Sequence, residues 1–99
     1  MSKEELQRQR DEELSKMEHA YRARQEEVER EKEEIKSRAQ EKVDKGQDAS
    51  QEVKEHDEKK AVQDKNFDDY QSDRDQVYAY YENEINNEQD KEQDNEQEM

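Results

Sequence analysis

The chain has no cysteine, no proline, no tryptophan and a single glycine, Gly46, among 99 residues. Without cysteine there is no disulfide framework, no thiolate metal site and no thiol nucleophile. Without proline, and with one glycine, it lacks the punctuation of a linker, and the Glu, Lys, Arg and Gln it uses instead are strong helix formers. Apolar residues are scarce too. Hydrophobic residues make up 24% and charged residues 51%, where ordinary domains carry about 45–50% and about 25%. A chain this short offsets its conformational entropy by burial only narrowly. Either thinly covered helices or a core completed by a second copy is therefore expected, with partial disorder as the competing expectation. No apolar run approaches a signal h-region or a membrane span. The opening MSKEEL reads as an ordinary intracellular start, so a cytoplasmic location is expected. The net charge of −14 argues against direct nucleic-acid binding and against anionic membranes, both of which need a basic surface. Partners are expected to be basic.

The charge is unevenly placed. Residues 1–43 hold eleven Lys/Arg against thirteen Asp/Glu, a net −2, while residues 44–99 hold seven against nineteen, a net −12. Residues 1–45 predict one long charged helix. Glu-to-base pairs recur at i,i+4: Glu4–Arg8, Glu12–Lys16, Glu18–Arg22, Glu26–Arg30, Glu34–Arg38 and Glu41–Lys45. Each contributes a few tenths of a kcal/mol in the favourable orientation. Ser2 with Glu5 would form a capping box, and Gly46 after Lys42 and Lys45 would stop the helix. Leu6, Leu14, Tyr21, Val28, Ile35 and Val43 recur every seven or eight residues, a thin stripe. A two-stranded coiled coil needs a second apolar position per heptad. Three residues on stand Met17, Arg24, Glu31 and Arg38, and four residues on stand Glu18, Gln25, Lys32 and Ala39, of which only Met17 and Ala39 fit. A weak coiled-coil seam and a solvated, salt-bridge-laced helix both remain open.

Residues 46–50 read as a turn, in which Asp48 can cap a second helix and Gln51 can complete a box-like pattern. That helix would cover about 49–65, with Val53, Ala61 and Val62 as its only apolar side chains. Asn66 either marks a break or lies inside one continuous helix. A third stretch, Phe67–Ile85, carries five of the six aromatic residues, and on a helix Phe67, Tyr70, Val77, Tyr78, Tyr81 and Ile85 fall on one side. Residues 51–87 are thus expected as a helical acidic segment and residues 88–99 as a disordered acidic tail.

Chemical motifs are weak. Asp64–Asp75 can be set on the calcium-loop template, with Asp64, Asn66, Asp68, Ser72 and Asp75 at ligand positions. However, Asp69 stands where glycine is required, Gln71 where an apolar residue packs, and the last position is the shorter Asp. His19 and His56 are isolated, and Glu52 with His56 lacks a third ligand for zinc. Carboxylates abound, yet acid–base chemistry needs one of them desolvated in a pocket, and little apolar material is present to wall one off. No phosphate loop and no nucleophile with an adjacent base is present. An enzyme is not expected, and neither a cofactor nor a resident metal is.

The carboxylates as an ensemble carry the functional expectation. Asp68 to Glu98 holds twelve acids against two bases, a net −10. On a helix that is one carboxylate per ~4 Å, and two such helices side by side would approach the roughly 1.7 Å spacing of duplex DNA charge. Fixed carboxylates at that density could compete for a groove lined with Lys and Arg. In size, acidity, helicity and lack of cysteine, and in the charge of residues 68–98 above all, the chain resembles the phage-encoded acidic proteins that act as DNA mimics. The resemblance implies a non-enzymatic inhibitor occupying the DNA-binding surface of a basic host protein, of the HU type or another DNA-binding protein, in the host cytoplasm. The family is more uniformly acidic, and the near-neutral first 43 residues depart from it; they could serve dimerisation instead.

The expectation is therefore an all-α, elongated protein with a long N-terminal helix, a turn at Gly46 and one or two shorter helices, as a bundle or coiled-coil-like dimer. Leu14, Tyr21, Val28 and Ile35, or the face Tyr70, Val77, Tyr78, Tyr81 and Ile85, would be used in self-association or packing. Asp68, Asp69, Asp73, Asp75, Glu82, Glu84 and Glu88 would face the partner. The alternative is a coiled-coil structural or scaffold-type assembly protein in which the first helix is the functional part.

Overall fold

The computed structural model describes the backbone of residues 1–98 and side chains as far as Glu88. Apart from Glu88, the tail expected over 88–99 lies outside the side chains described. The protein is all-α. Helix α1 spans Lys3–Asp44 and helix α2 spans Ser50–Glu98, and no strand occurs among the described residues. Asn66 does not break α2, so of the one or two shorter helices expected after the turn there is one, and at 49 residues it is longer than the 42-residue α1.

The helix ends follow local chemistry. Ser2 Oγ accepts the Glu5 N–H at 3.2 Å, the N-terminal half of the expected capping box. Gly46 takes φ +70°. The Gln47 N–H then reaches the Lys42 carbonyl at 2.8 Å and the Gly46 N–H reaches Val43 at 3.0 Å. Those two bonds form a Schellman cap, which requires a left-handed residue at this position. Asp48 Oδ1 accepts the Ser50 N–H at 3.0 Å and opens α2. Gln51 does not complete a box; its amide turns to Glu55 at 3.4 Å.

The chain forms two compact units, each with its own packing. The hairpin unit, Ala20–Asp69, pairs the second part of α1 with the first part of α2 in antiparallel fashion. On α1 the covered positions include Tyr21, Gln25, Val28, Lys32, Ile35, Ala39 and Lys42, and on α2 Glu52, His56, Lys59, Gln63 and Asn66. Both sets step by alternating fours and threes, the spacing of a coiled-coil seam. Val28 and Ile35 are 8% and 4% exposed. None of those five α2 positions is apolar. Val53 and Val62 point outward, 57% and 44% exposed.

Polar contacts fill the seam instead. Gln25 Nε2 donates to the Gln63 carbonyl at 3.1 Å, and Asn66 Nδ2 donates to Gln25 Oε1 at 3.1 Å. Lys32 Nζ donates to Gln63 Oε1 and Gln63 Nε2 to Glu29, both at 2.9 Å. Arg38 pairs across with Glu55 at 3.3 Å rather than with Glu34, while Lys42 pairs with Glu52 and Lys59 with Glu31. Tyr21 and Phe67 add a tilted ring contact at 6.4 Å.

The terminal unit, Met1–His19 with Tyr70–Met99, has an apolar cluster at its seam. Leu6, Tyr81 and Ile85 are buried together, with Val77 packed against them. Tyr81 Oη donates to Glu13 Oε2 at 2.9 Å. Leu14 is half-buried. Two placements differ from the expected aromatic face: Tyr78 and Phe67 are 47% and 46% exposed. A contact between just two helices covers a stripe narrower than the apolar face of a helix in a globular core. Tyr78 sits at the flank of this stripe, and Phe67 belongs to the hairpin unit, against the Tyr21 ring.

Candidate interaction surface

The seven carboxylates expected to face a partner all lie on α2, but not in one unit. Asp68 and Asp69 belong to the hairpin unit and Asp73, Asp75, Glu82, Glu84 and Glu88 to the terminal unit. Asp68, Asp69, Asp73, Asp75 and Glu82 are exposed, whereas Glu84 and Glu88 are half-covered. Glu88 lies 3.9 Å from the N-terminal amine, and Asp75 lies 4.0 Å from the neighbouring Arg74. The Asp75 pair is long and solvated and leaves that carboxylate available, because exposed pairs gain little. Asp75 and Glu82 stand seven residues apart, about 10 Å along the axis and on one outward face. The packing of Val77, Tyr81 and Ile85 on α1 fixes which way that face points.

The two units use charge differently. The hairpin unit holds sixteen carboxylates against twelve bases, a net −4, and several of those bases are spent on cross-helix pairs. These contacts shift titrations. The Gln63 amide and then Lys32 hold Glu29 below the ordinary 4.5. Lys42 bonded to Glu52 does the same there, against the opposing effect of burial. Lys59 is raised above 10.5 by its bond to Glu31. The described residues of the terminal unit hold eleven carboxylates against five bases, a net −6 from fewer residues. The excess negative charge therefore sits where fewer cations neutralise it.

Neither metal template is assembled. Asp64–Asp75 is uninterrupted helix, so its ligand positions are spread around the circumference instead of converging. Among the described residues no group of three or more His, Cys, Asp or Glu could hold a metal ion. His19 is exposed. Glu52 is 6% exposed, its Oε2 and the His56 Nε2 buried without a hydrogen-bond partner. No helix among the described residues is long and apolar enough to cross a membrane.

Sequence reasoning missed Glu13, which anchors Tyr81 from the other helix, and the seam residues Gln25, Lys32, Gln63 and Asn66. The signal was present in the four-residue step from Tyr21 to Gln25 and from Val28 to Lys32. It is invisible to a search for apolar pairs. No protein-family model, curated protein or solved structure matches this chain.

Proposed function

We propose that the protein is a non-enzymatic acidic interaction protein that competes with DNA for the nucleic-acid surface of a basic partner, an HU-type protein being the type case. One observation carries this. In the hairpin unit Lys32, Arg38, Lys42 and Lys59 bridge two sparse helices, while α2 in the terminal unit presents Asp73, Asp75 and Glu82 to solvent on a packed support. Preorganised carboxylates cost less to bring against a basic groove than those of a solvated tail, and like-charged phosphates would contend for the same groove.

The test is binding to a purified HU-type protein across a salt series, followed by displacement with duplex DNA. Affinity should fall steeply with salt, DNA should displace the protein, and Asp75→Asn with Glu82→Gln should weaken binding several-fold at unchanged helicity. Circular dichroism recorded through the same salt series separates loss of binding from loss of the seam ion pairs. Binding indifferent to salt, or not displaced by DNA, would sink the proposal. Indifference to the double neutralisation would favour the structural coiled-coil alternative.

A further inference from the structure

The terminal unit carries a shallow groove of about 510 Å³ lined by Glu13, Met17, Asp73, Gln76, Val77, Tyr80 and Tyr81. Its floor is apolar, from Met17, Val77 and the ring of Tyr81. Its rim carries two carboxylates, Glu13 from α1 and Asp73 from α2, and a tyrosine, Tyr80, that is 60% exposed. Tyr80 is held in place by an edge-to-face contact with Tyr81, centroids 5.0 Å apart at 88°. Tyr81 in turn is buried and anchored by its bond to Glu13 Oε2. The Glu13 bond, with burial next, raises the Tyr81 pKa above its ordinary 10.0, so the phenol stays neutral and continues to donate.

The chemistry of this lining selects for a flat cation. Ring faces attract cations through their quadrupole, and two carboxylates on opposite helices offer acceptors to a forked donor. An apolar floor accommodates the methylene stem of a long basic side chain. A guanidinium meets all three conditions, because it is planar, stacks on aromatic rings, forks to carboxylates and is weakly hydrated; an ammonium meets fewer. The groove volume lies in the range of ligand-sized sites.

We propose that this groove receives an arginine side chain of the basic partner, with Tyr80 stacking on the guanidinium and Asp73 and Glu13 accepting its N–H groups. The proposal rests on the reading that the partner is basic, and adds to it the place where contact is specific rather than merely electrostatic. Anchors of this kind, an arginine seated in a pocket with an aromatic wall, dominate interface energetics out of proportion to their area.

The experiment uses the full chain and a short arginine–glycine repeat peptide, with its lysine–glycine counterpart, in calorimetric titration at low salt. Asp73→Asn and Asp75→Asn remove the same charge, but only Asp73 lines the groove. The arginine peptide should bind about threefold more tightly than the lysine peptide, and Tyr80→Ala should weaken it by about threefold. Tyr80→Phe should retain binding, and Asp73→Asn should weaken it clearly more than Asp75→Asn. Tyr80 is exposed, so these variants should keep their helical spectrum. Equal effects of the two Asp substitutions, or a Tyr80→Ala protein indistinguishable from the parent, overturn the groove. If either peptide still binds in a salt-sensitive way in that case, the broader acidic-surface reading stands. Absence of binding to both peptides overturns both.

Discussion

Replacing Ile35 by alanine tests where the stability of the hairpin unit resides. Ile35 is 4% exposed, the lowest exposure among the described core residues. The substitution deletes three carbon atoms, and at ~0.8 kcal/mol each the lost transfer free energy is about 2.4 kcal/mol. A cavity contribution would normally raise this within a range of about 2–5 kcal/mol. Here Ile35 borders a groove of about 220 Å³ shared with Ala39, Glu52, Val53 and His56, so the vacated space opens to solvent instead of being sealed. The total should therefore stay near the lower end, ~2–2.5 kcal/mol. With a urea slope of ~1–1.5 kcal/mol/M for a chain this small, the midpoint should drop by about 2 M. The control is Val53→Ala, at a residue lining the same groove but 57% exposed, which should change stability by no more than about 0.5 kcal/mol. If Ile35→Ala unfolds the protein outright, adding sulfate, which strengthens burial, should recover a transition. The assay is far-UV circular dichroism through a urea titration. Equal midpoint shifts for Ile35→Ala and Val53→Ala would refute the view that two aliphatic residues in a polar seam hold this unit.

Gly46→Ala should cost about 1 kcal/mol in urea melts, from the left-handed backbone alone, because an added Cβ meets nothing within 4 Å. A loss near zero would mean that the Schellman turn relaxes. Gln63→Ala removes two partly exposed side-chain bonds and should cost about 1–2 kcal/mol. In a double-mutant cycle with Lys32→Met the pair should couple by ~0.5–1 kcal/mol, and strict additivity would show the 2.9 Å contact to be energetically idle. Acid should destabilise the hairpin unit. Glu29 and Glu52 are held below 4.5, so their contribution is fully present above that value and is lost as pH falls through their lower folded values. Urea midpoints against pH should show this limb, and Glu52→Gln should flatten it. Lys59 and Tyr81 are raised above 10.5 and 10.0, so their contributions are present below those values and lost as alkali carries pH through the raised ones.

Helix, stop and cap were legible because each depends on neighbours within a turn or two. Gly46 with two preceding lysines, Asp48 before α2 and Ser2 three residues before Glu5 needed no tertiary information. The seven-residue recurrence of Tyr21, Val28 and Ile35 located half of the α1 seam. The other half, Gln25 and Lys32, is polar and carries no apolar periodicity to mark it. Their partners Gln63 and Asn66 lie 31 to 41 residues away, and nothing local marks Gln63 as different from the many other glutamines. Glu13 and Tyr81 are 68 residues apart, and Lys42 meets Glu52 only because the turn at Gly46 folds α2 back on α1.

Composition and local pattern, then, determined a cysteine-free, all-α chain with a turn at Gly46, net −14, and its acids crowded towards α2. Only the tertiary structure decided which of those acids are committed. Long-range pairing assigns Glu29, Glu31, Glu52 and Glu55 to holding helices together and leaves Asp73, Asp75 and Glu82 facing water. The physical reason is geometric. A helix sets each residue's angle about its own axis, but the direction of its neighbour comes from the other helix, and a carboxylate becomes structural or available according to which side that neighbour takes.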